Sequence, residues 1–134
     1  MAAFIPVIIG VSGNVGTQSS TIVVRGLATG RVDAANTIPL ILKELLVGSI
    51  LGVAYGLVVG FAAEYITGID MSNLGLVIGL SIFCSMTIAT AVGASVPIVL
   101  KKLGFDPAIS TGPFVTTAID IIGVALYFVI ASTI

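Results

Sequence analysis

Long apolar stretches follow one another along this 134-residue chain, and charged side chains are confined to the segments between them. The charges lie within residues 25–44, 64–70 and 101–106, with one isolated acid at Asp120. A helix of about 20 mainly apolar residues spans the hydrocarbon core of a bilayer, so each of the four stretches is long enough to cross it. The pattern predicts an all-α, polytopic membrane helix bundle forming a single transmembrane domain over residues 1–134. Its four spans are approximately 2–25, 38–65, 72–100 and 108–134.

Composition supports the membrane interpretation. Hydrophobic residues make up 57% of the chain and charged residues 8%, with a mean hydropathy of +1.26, whereas soluble domains carry about 25% charged residues. Runs such as LVIGLSIF do not alternate apolar and polar positions, which argues against a porin-like barrel. We therefore expect an integral membrane protein of the plasma or inner membrane, in contact with the lipid bilayer.

Several functional classes are excluded by what the chain lacks. It has no His and one Cys, so a His-ligated metal site and the common Ser-His and Cys-His catalytic sites are impossible. The net charge of −1 leaves no basic surface for a nucleic-acid partner. An intramembrane aspartyl protease needs two deep carboxylates, and only Asp120 is deep. The protein is thus predicted not to be an enzyme.

The loop charges predict an orientation. Basic side chains lie on the first and third connections between spans, and the middle connection has none. They are Arg25, Arg31, Lys43, Lys101 and Lys102. The positive-inside rule then places the first and third connections in the cytoplasm and both termini outside. Nothing in the first span directs an N-terminus outward, so we expect a preceding helix and a chain that is part of something longer.

The second span carries a stripe of small residues, Gly48, Gly52, Gly56 and Gly60, at four-residue spacing. In membranes such a stripe lets two helix backbones approach closely, so we predict helix packing here and treat a ligand role as the weaker alternative. Glu44 lies on the same face one turn earlier. It is interpreted either as a carboxylate at a pore mouth or as one that pins a neighbouring helix.

The first span is unusually polar for a membrane helix. Gly10, Asn14, Thr17 and Thr21 are spaced by four, three and four residues and share one helix face. Small and hydroxylated residues are common in helix contacts within membranes. Asn14 and Gln18 are costly to place in hydrocarbon without partners, however. The run therefore favours a helix that lines water.

Asp120 is the strongest functional signal. It lies about twelve residues, or roughly 18 Å, from the predicted start of its helix, near the bilayer midplane. An acid there costs about 2.5–3.5 kcal/mol on insertion scales, and such residues usually face a bundle interior or a watery cavity. The structural alternative is a protonated or hydrogen-bonded Asp that joins helices. Thr116, one turn earlier, can add a hydroxyl or backbone oxygen.

Oxygen donors without nitrogen or sulfur suit a hard cation such as Mg²⁺ or Ca²⁺. One carboxylate per chain is too little to dehydrate Mg²⁺, which usually keeps several waters. A two-fold dimer would bring two Asp120 side chains to a shared axis around a hydrated dication. The residues by themselves indicate an oligomeric cation pathway and do not specify the ion.

Three stretches resemble one known family, the MgtE-type magnesium channels and their solute-carrier relatives. Pro6–Gly30 (PVIIGVSGNVGTQSSTIVVRGLATG) is similar to the family's second transmembrane helix, and Lys43–Gly52 (KELLVGSILG) to the start of the third. Phe105–Phe128 (FDPAISTGPFVTTAIDIIGVALYF) resembles the last helix. The GN-x-G-x-Q and DPA…GPF-x-TT-x-x-D patterns occur here in the family's order.

The resemblance implies a homodimer whose pore runs along the dimer axis, lined by the first and fourth spans of this chain. Asp120 would match the pore acid that holds hydrated Mg²⁺, the transported ion, and Thr116 the backbone oxygen one turn before it. Glu44 would match an acid at a helix start. The implied pore-lining positions are Gly10, Asn14, Thr17, Thr21 and Gly123.

The family's first transmembrane helix and its cytoplasmic N and CBS domains have no counterpart in the sequence. We therefore expect them to come from a longer chain or a partner subunit. Three hypotheses follow: a passive Mg²⁺ channel, a cation-coupled Mg²⁺ exchanger, and a structural membrane subunit without flux of its own.

Overall fold

The computed structural model describes residues 2–68 and 73–134. In these ranges the chain forms four long α-helices, two short 3₁₀ segments and no strand. The helices are α1 (Ile5–Ala28), α2 (Ile38–Thr67), α3 (Leu74–Lys102) and α4 (Pro113–Thr133). With the 3₁₀ turn Ala2–Phe4 counted into the first, all four are long and apolar enough to cross a membrane. The prediction of an all-α chain with four transmembrane helices is confirmed.

The fourth helix begins later than the predicted span. Pro107–Thr111 forms a 3₁₀ segment, in which the Ala108 amide donates to the Asp106 side chain at 2.9 Å, and α4 starts at Pro113. Proline suits a first helical position because its missing N–H has no partner there in any case. Pro113 therefore begins the helix and does not interrupt one. The predicted start of the third span, residue 72, lies outside the described residues.

Glycine closes α3 on the side where the chain turns toward α4. Gly104 adopts a φ of 81°, a left-handed conformation that costs glycine little. The Gly104 amide donates to the Lys101 carbonyl at 3.2 Å, and the Phe105 amide donates to the Leu100 carbonyl at 2.9 Å. This pair of bonds is a Schellman motif, which satisfies helix-end carbonyls and turns the chain sharply.

The centre of the bundle is α3. It packs against α2 on one side and against α1 and α4 on the other, while α1 and α4 also pack against each other. The main core lies where α1, α3 and α4 meet, around Ile8, Ile82 and Tyr127. The outer surface of α2 is strongly apolar, with Val58 and Phe61 more than half exposed. Lipid chains can surround such an apolar surface at no cost, which is consistent with a membrane-embedded bundle.

Backbone contact joins α2 to α3. A Cβ built on Gly56 would lie 2.6 Å from the Gly79 carbonyl oxygen, and one on Gly60 would lie 2.7 Å from that of Gly75. Gly48 and Gly52 are also buried against α3. Because the lipid supplies no hydrophobic driving force between helices, this close approach is a main source of their attraction.

A second close crossing joins α1 to α3. A Cβ on Gly93 would collide with the Gly16 carbonyl oxygen, and one on Gly16 would approach the Ala89 carbonyl oxygen to 2.9 Å. At the same level the buried Ser19 hydroxyl donates to the Thr90 carbonyl at 3.0 Å. These contacts fix which face of α1 is buried and which is left open.

We predict that Ser19→Ala lowers the free energy of unfolding by about 0.6 kcal/mol, the average for an interhelical hydrogen bond in membranes. Ser12→Ala is the matched control, since Ser12 is equally buried on α1 but its hydroxyl donates at 2.7 Å to Ile8 of its own helix. Denaturation in mixed detergent micelles, followed by circular dichroism, measures both. An equal loss in the two variants would contradict an interhelical role for Ser19.

Candidate cation site

A polar stripe remains exposed along α1 on the side that neither α3 nor α4 covers. Asn14, Gln18 and Thr21 are exposed and Thr17 is half-buried, and with Ile22 they border an open groove of about 490 Å³. Gly10, one turn before Asn14, is exposed with no atom near its missing Cβ. The predicted water-facing residues of the first span thus share one open surface.

The two threonine hydroxyls on this stripe are already oriented. Thr17 donates to the Gly13 carbonyl at 2.7 Å, and Thr21 donates to the Thr17 carbonyl at 2.9 Å. Since each hydroxyl proton is used within the helix, the oxygen lone pairs are left to accept. A surface of acceptor oxygens suits the water molecules around a hydrated cation, which donate outward.

Asp120 lies at the seam between α4 and α1, beside this stripe. Its Oδ1 atom is 3.6 Å from the position of a Cβ on Gly13, and the whole residue is half-buried. Gly13 belongs to the same helical turn as Thr17, whose hydroxyl bonds to the Gly13 carbonyl. A Cβ at position 13 would be in van der Waals contact with the carboxylate, so Gly13 and Asp120 are direct neighbours across the α1–α4 seam.

The depth of Asp120 follows from the observed start of α4. The residue lies seven positions after Pro113, or about 10 Å along the helix axis. A 21-residue α4 is about 31 Å long, which matches the roughly 30 Å hydrocarbon core. Asp120 is therefore one-third of the way along α4. Thr116, one turn earlier and half-buried, directs its hydroxyl to the Gly112 carbonyl at 3.4 Å.

Gly123 does not join the exposed stripe. It is buried, and a Cβ there would lie 3.7 Å from the Ser85 hydroxyl of α3. At this distance a Cβ would make an ordinary van der Waals contact with α3. The pore-lining role of this residue stays a prediction, and within one chain its position three residues after Asp120 places it at the contact between α4 and α3.

Glu44 is buried on the face of α2 that carries the glycine stripe. That face packs against α3, at the turn next to Gly48 and Thr90. Glu44 thus faces α3 and lies away from the open polar surface, which belongs to α1 and α4. Of its two interpretations, this position favours contact with a neighbouring helix over a place at a pore mouth. Its role stays a prediction.

The sequence patterns did not predict two contacts near the candidate site. Gly93 of α3 lies against the Gly16 backbone of α1, and Gly13 lies beside Asp120. A signal for the first exists on α3, where small residues recur every four positions at Ser81, Ser85, Ala89 and Gly93. The partner of Gly13 could not be read from sequence, because it depends on how α4 lies across α1.

Within the described ranges no group of three or more acidic or cysteine side chains could hold a metal ion. The candidate site in one chain therefore offers a single carboxylate, Asp120, together with hydroxyl and carbonyl oxygens. Such a set does not replace the water shell of a dication, and it suits an ion that keeps its waters.

Comparison with known proteins decides the family. Residues 5–130 match the family model MgtE, described as a divalent cation transporter. The chain belongs to the MgtE family. The magnesium transporter MgtE of Enterococcus faecalis is 42% identical over 134 residues, and those of Bacillus subtilis and Thermus thermophilus are 35% and 37% identical over 132 residues.

The chain is matched over 98% of its length by each of these relatives, and it spans 28–29% of theirs. It therefore corresponds to a transmembrane portion of the MgtE proteins. Membership of this family, together with four membrane-spanning helices, makes the chain an integral membrane protein of a transporter family and not of an enzyme family.

Proposed function

We propose that this MgtE-family chain forms the pore of a Mg²⁺ pathway, with two copies placed about an axis along the open polar stripe of α1. The observation that carries the proposal is the half-buried Asp120 beside a row of exposed acceptor groups that include Asn14 and Thr17. Hydrocarbon would be a poor solvent for this stripe. A second copy facing it across water would leave it hydrated.

In this arrangement Asp120 holds the ion through its water shell. Thr116 contributes oxygen one turn earlier, and the Thr17 and Thr21 hydroxyls accept from the ion's waters along α1. Two Asp120 carboxylates, one from each copy, balance the charge of one dication. A dication moving inward across 100 mV gains about 4.6 kcal/mol, so the membrane potential suffices to drive entry.

The dimer axis is tested by cysteine cross-linking in a Cys84→Ala background, since Cys84 is the one native cysteine. We expect Asn14→Cys, on the exposed stripe, to give a covalent dimer in membranes with a bifunctional thiol reagent that spans the water-filled path, since a direct disulfide would need the two Cα atoms within about 7 Å. Val58→Cys, which is exposed on the apolar face of α2, should stay monomeric on the same gel. Cross-linking at Val58 and not at Asn14 would place the axis on α2 and refute the proposed pore.

The same variants test whether the stripe lines the conduction path. In vesicles containing a Mg²⁺-sensitive dye, we expect a membrane-impermeant thiol reagent to reduce Mg²⁺ entry in Asn14→Cys and to leave Val58→Cys unaffected. Flux that follows a counter-ion gradient would instead favour the exchanger mechanism. Absence of flux in a correctly assembled dimer would favour a structural subunit.

A further inference from the structure

A groove separate from the cation site runs along the outer side of the α2–α3 pair. It encloses about 530 Å³, within the roughly 300–1,000 Å³ of typical ligand pockets. Its surface is almost entirely apolar, and one carboxylate lies at one end of it. The walls include Leu57, Phe61, Leu76, Leu80 and Phe83, and the carboxylate is Glu64.

The glycine crossing creates this groove. Where the backbones of Gly56 and Gly79 touch, neither helix has a side chain that could fill the space beside the contact. The larger side chains of the next positions, such as Leu57 and Leu80, stand on either side as walls. The groove is thus a fixed consequence of close packing between the two helices.

Within this chain, the groove is open on the outer side of the α2–α3 pair. Helix α2 packs mainly against α3, so this side is turned away from the α1–α4 seam that carries Asp120. Leu57 is 56% exposed and Phe61 69% exposed along the rim. In a bilayer, the molecules that reach such a surface are lipids, whose acyl chains match an apolar channel.

Glu64 lies at the headgroup end of the groove. Helix α2 has 30 residues and is about 45 Å long, so its last turns extend beyond a hydrocarbon core of roughly 30 Å. Glu64 is exposed three residues before the end of α2 at Thr67, and its Oε1 atom lies 2.6 Å from the position of a Cβ on Gly75. The carboxylate therefore lies over the first turn of α3, at the mouth of the groove.

The charge at this mouth is not balanced by the surrounding sequence. Between Lys43 and Lys101 the sequence has no Lys or Arg, and the structure places the Glu64 carboxylate at the groove. An anionic headgroup at this mouth would lie beside the Glu64 carboxylate and be repelled by it. A headgroup that carries an ammonium would instead find a partner in Glu64.

We propose that the α2–α3 groove binds a zwitterionic phospholipid, with one acyl chain between the aromatic and leucine walls and its ammonium on the Glu64 carboxylate. Phosphatidylethanolamine has this chemistry, and phosphatidylglycerol has the same chains without the ammonium. The site is independent of the proposed Mg²⁺ pathway. It would anchor the outer pair of helices in one leaflet.

The test uses tryptophan fluorescence, since the chain has no native Trp. Leu57→Trp places the probe on the groove wall, and Val58→Trp places it on the neighbouring open surface of α2 at nearly the same depth. Each variant is reconstituted in mixtures of phosphatidylethanolamine and phosphatidylglycerol, with brominated chains on one lipid at a time. Quenching then gives the relative binding constant of the two lipids at each position.

We expect the probe at position 57 to favour phosphatidylethanolamine by about threefold, the size of one exposed ionic contact. The probe at position 58 should show a ratio of the two lipid binding constants near one. When Glu64→Gln is added to the Leu57→Trp variant, the ratio at position 57 should also fall to about one. Equal ratios at both positions, or a preference unchanged by Glu64→Gln, would overturn the proposal. Quenching at position 58 but not at 57 would show that protein covers the groove, which also overturns it.

Discussion

Loss of divalent-selective flux is the expected result of Asp120→Asn. The substitution keeps the size of the side chain and removes its charge at the seam between α4 and α1. Opposite unit charges 4 Å apart interact by about 4 kcal/mol at an effective dielectric constant of 20, and a dication doubles this. Each 1.4 kcal/mol is a tenfold effect, so even a water-separated contact predicts a decrease of about a hundredfold or more.

Mg²⁺ entry into dye-loaded vesicles measures this decrease, with the variants compared at equal incorporation. Asp33→Asn is the control, because Asp33 is an exposed acid on the connection between α1 and α2. It should change flux little. If Asp120→Asn altered assembly and left the preference for Mg²⁺ over Na⁺ intact, the carboxylate would be a helix-joining group and not the ion site.

The second large effect is expected from Gly93→Ala at the crossing of α1 and α3. The added methyl would collide with the carbonyl oxygen of Gly16, which belongs to the backbone and cannot rotate away. Overpacking of a closely packed contact usually costs about 1–3 kcal/mol. Because this crossing also sets the position of α1 relative to Asp120, we expect both stability and Mg²⁺ flux to fall.

Gly10→Ala provides the matched control for Gly93→Ala. Gly10 is also helical, but no atom lies within 4 Å of its missing Cβ. The helix should tolerate Ala there or become more stable by a few tenths of a kcal/mol to about 1 kcal/mol. Thermal unfolding in detergent compares the two variants. A similar change in both would show that glycine's helix propensity, and not the α1–α3 contact, controls the stability.

The sequence was most informative about features that repeat along a helix. The absence of charge over residues 45–63 and 71–100 predicted long membrane helices because a charged side chain in hydrocarbon is costly. The spacing of Asn14, Thr17 and Thr21 placed these residues on one face, and in the structure they share an open surface. Periodicity determines such faces without knowledge of neighbouring helices.

Sequence spacing was less informative about helix ends. The apolar run after Asp106 continues through Pro107–Thr111, so hydropathy alone placed the start of the last span there. The structure forms a 3₁₀ segment over these residues and begins α4 at Pro113. An apolar stretch shows what the membrane can accommodate, whereas local backbone chemistry decides where the helix begins.

The sequence by itself determined that the protein lies in a lipid membrane and that it crosses the membrane with four helices. It also determined the family resemblance and the isolated position of the acid at Asp120. Only the tertiary structure decided which helix each face meets. It placed Gly13 beside Asp120, turned Gly123 toward Ser85 of α3, and opened the groove that ends at Glu64. The physical reason is that a face follows from the 3.6-residue period of one helix, while a contact depends on the crossing of two helices, which close glycine packing fixes.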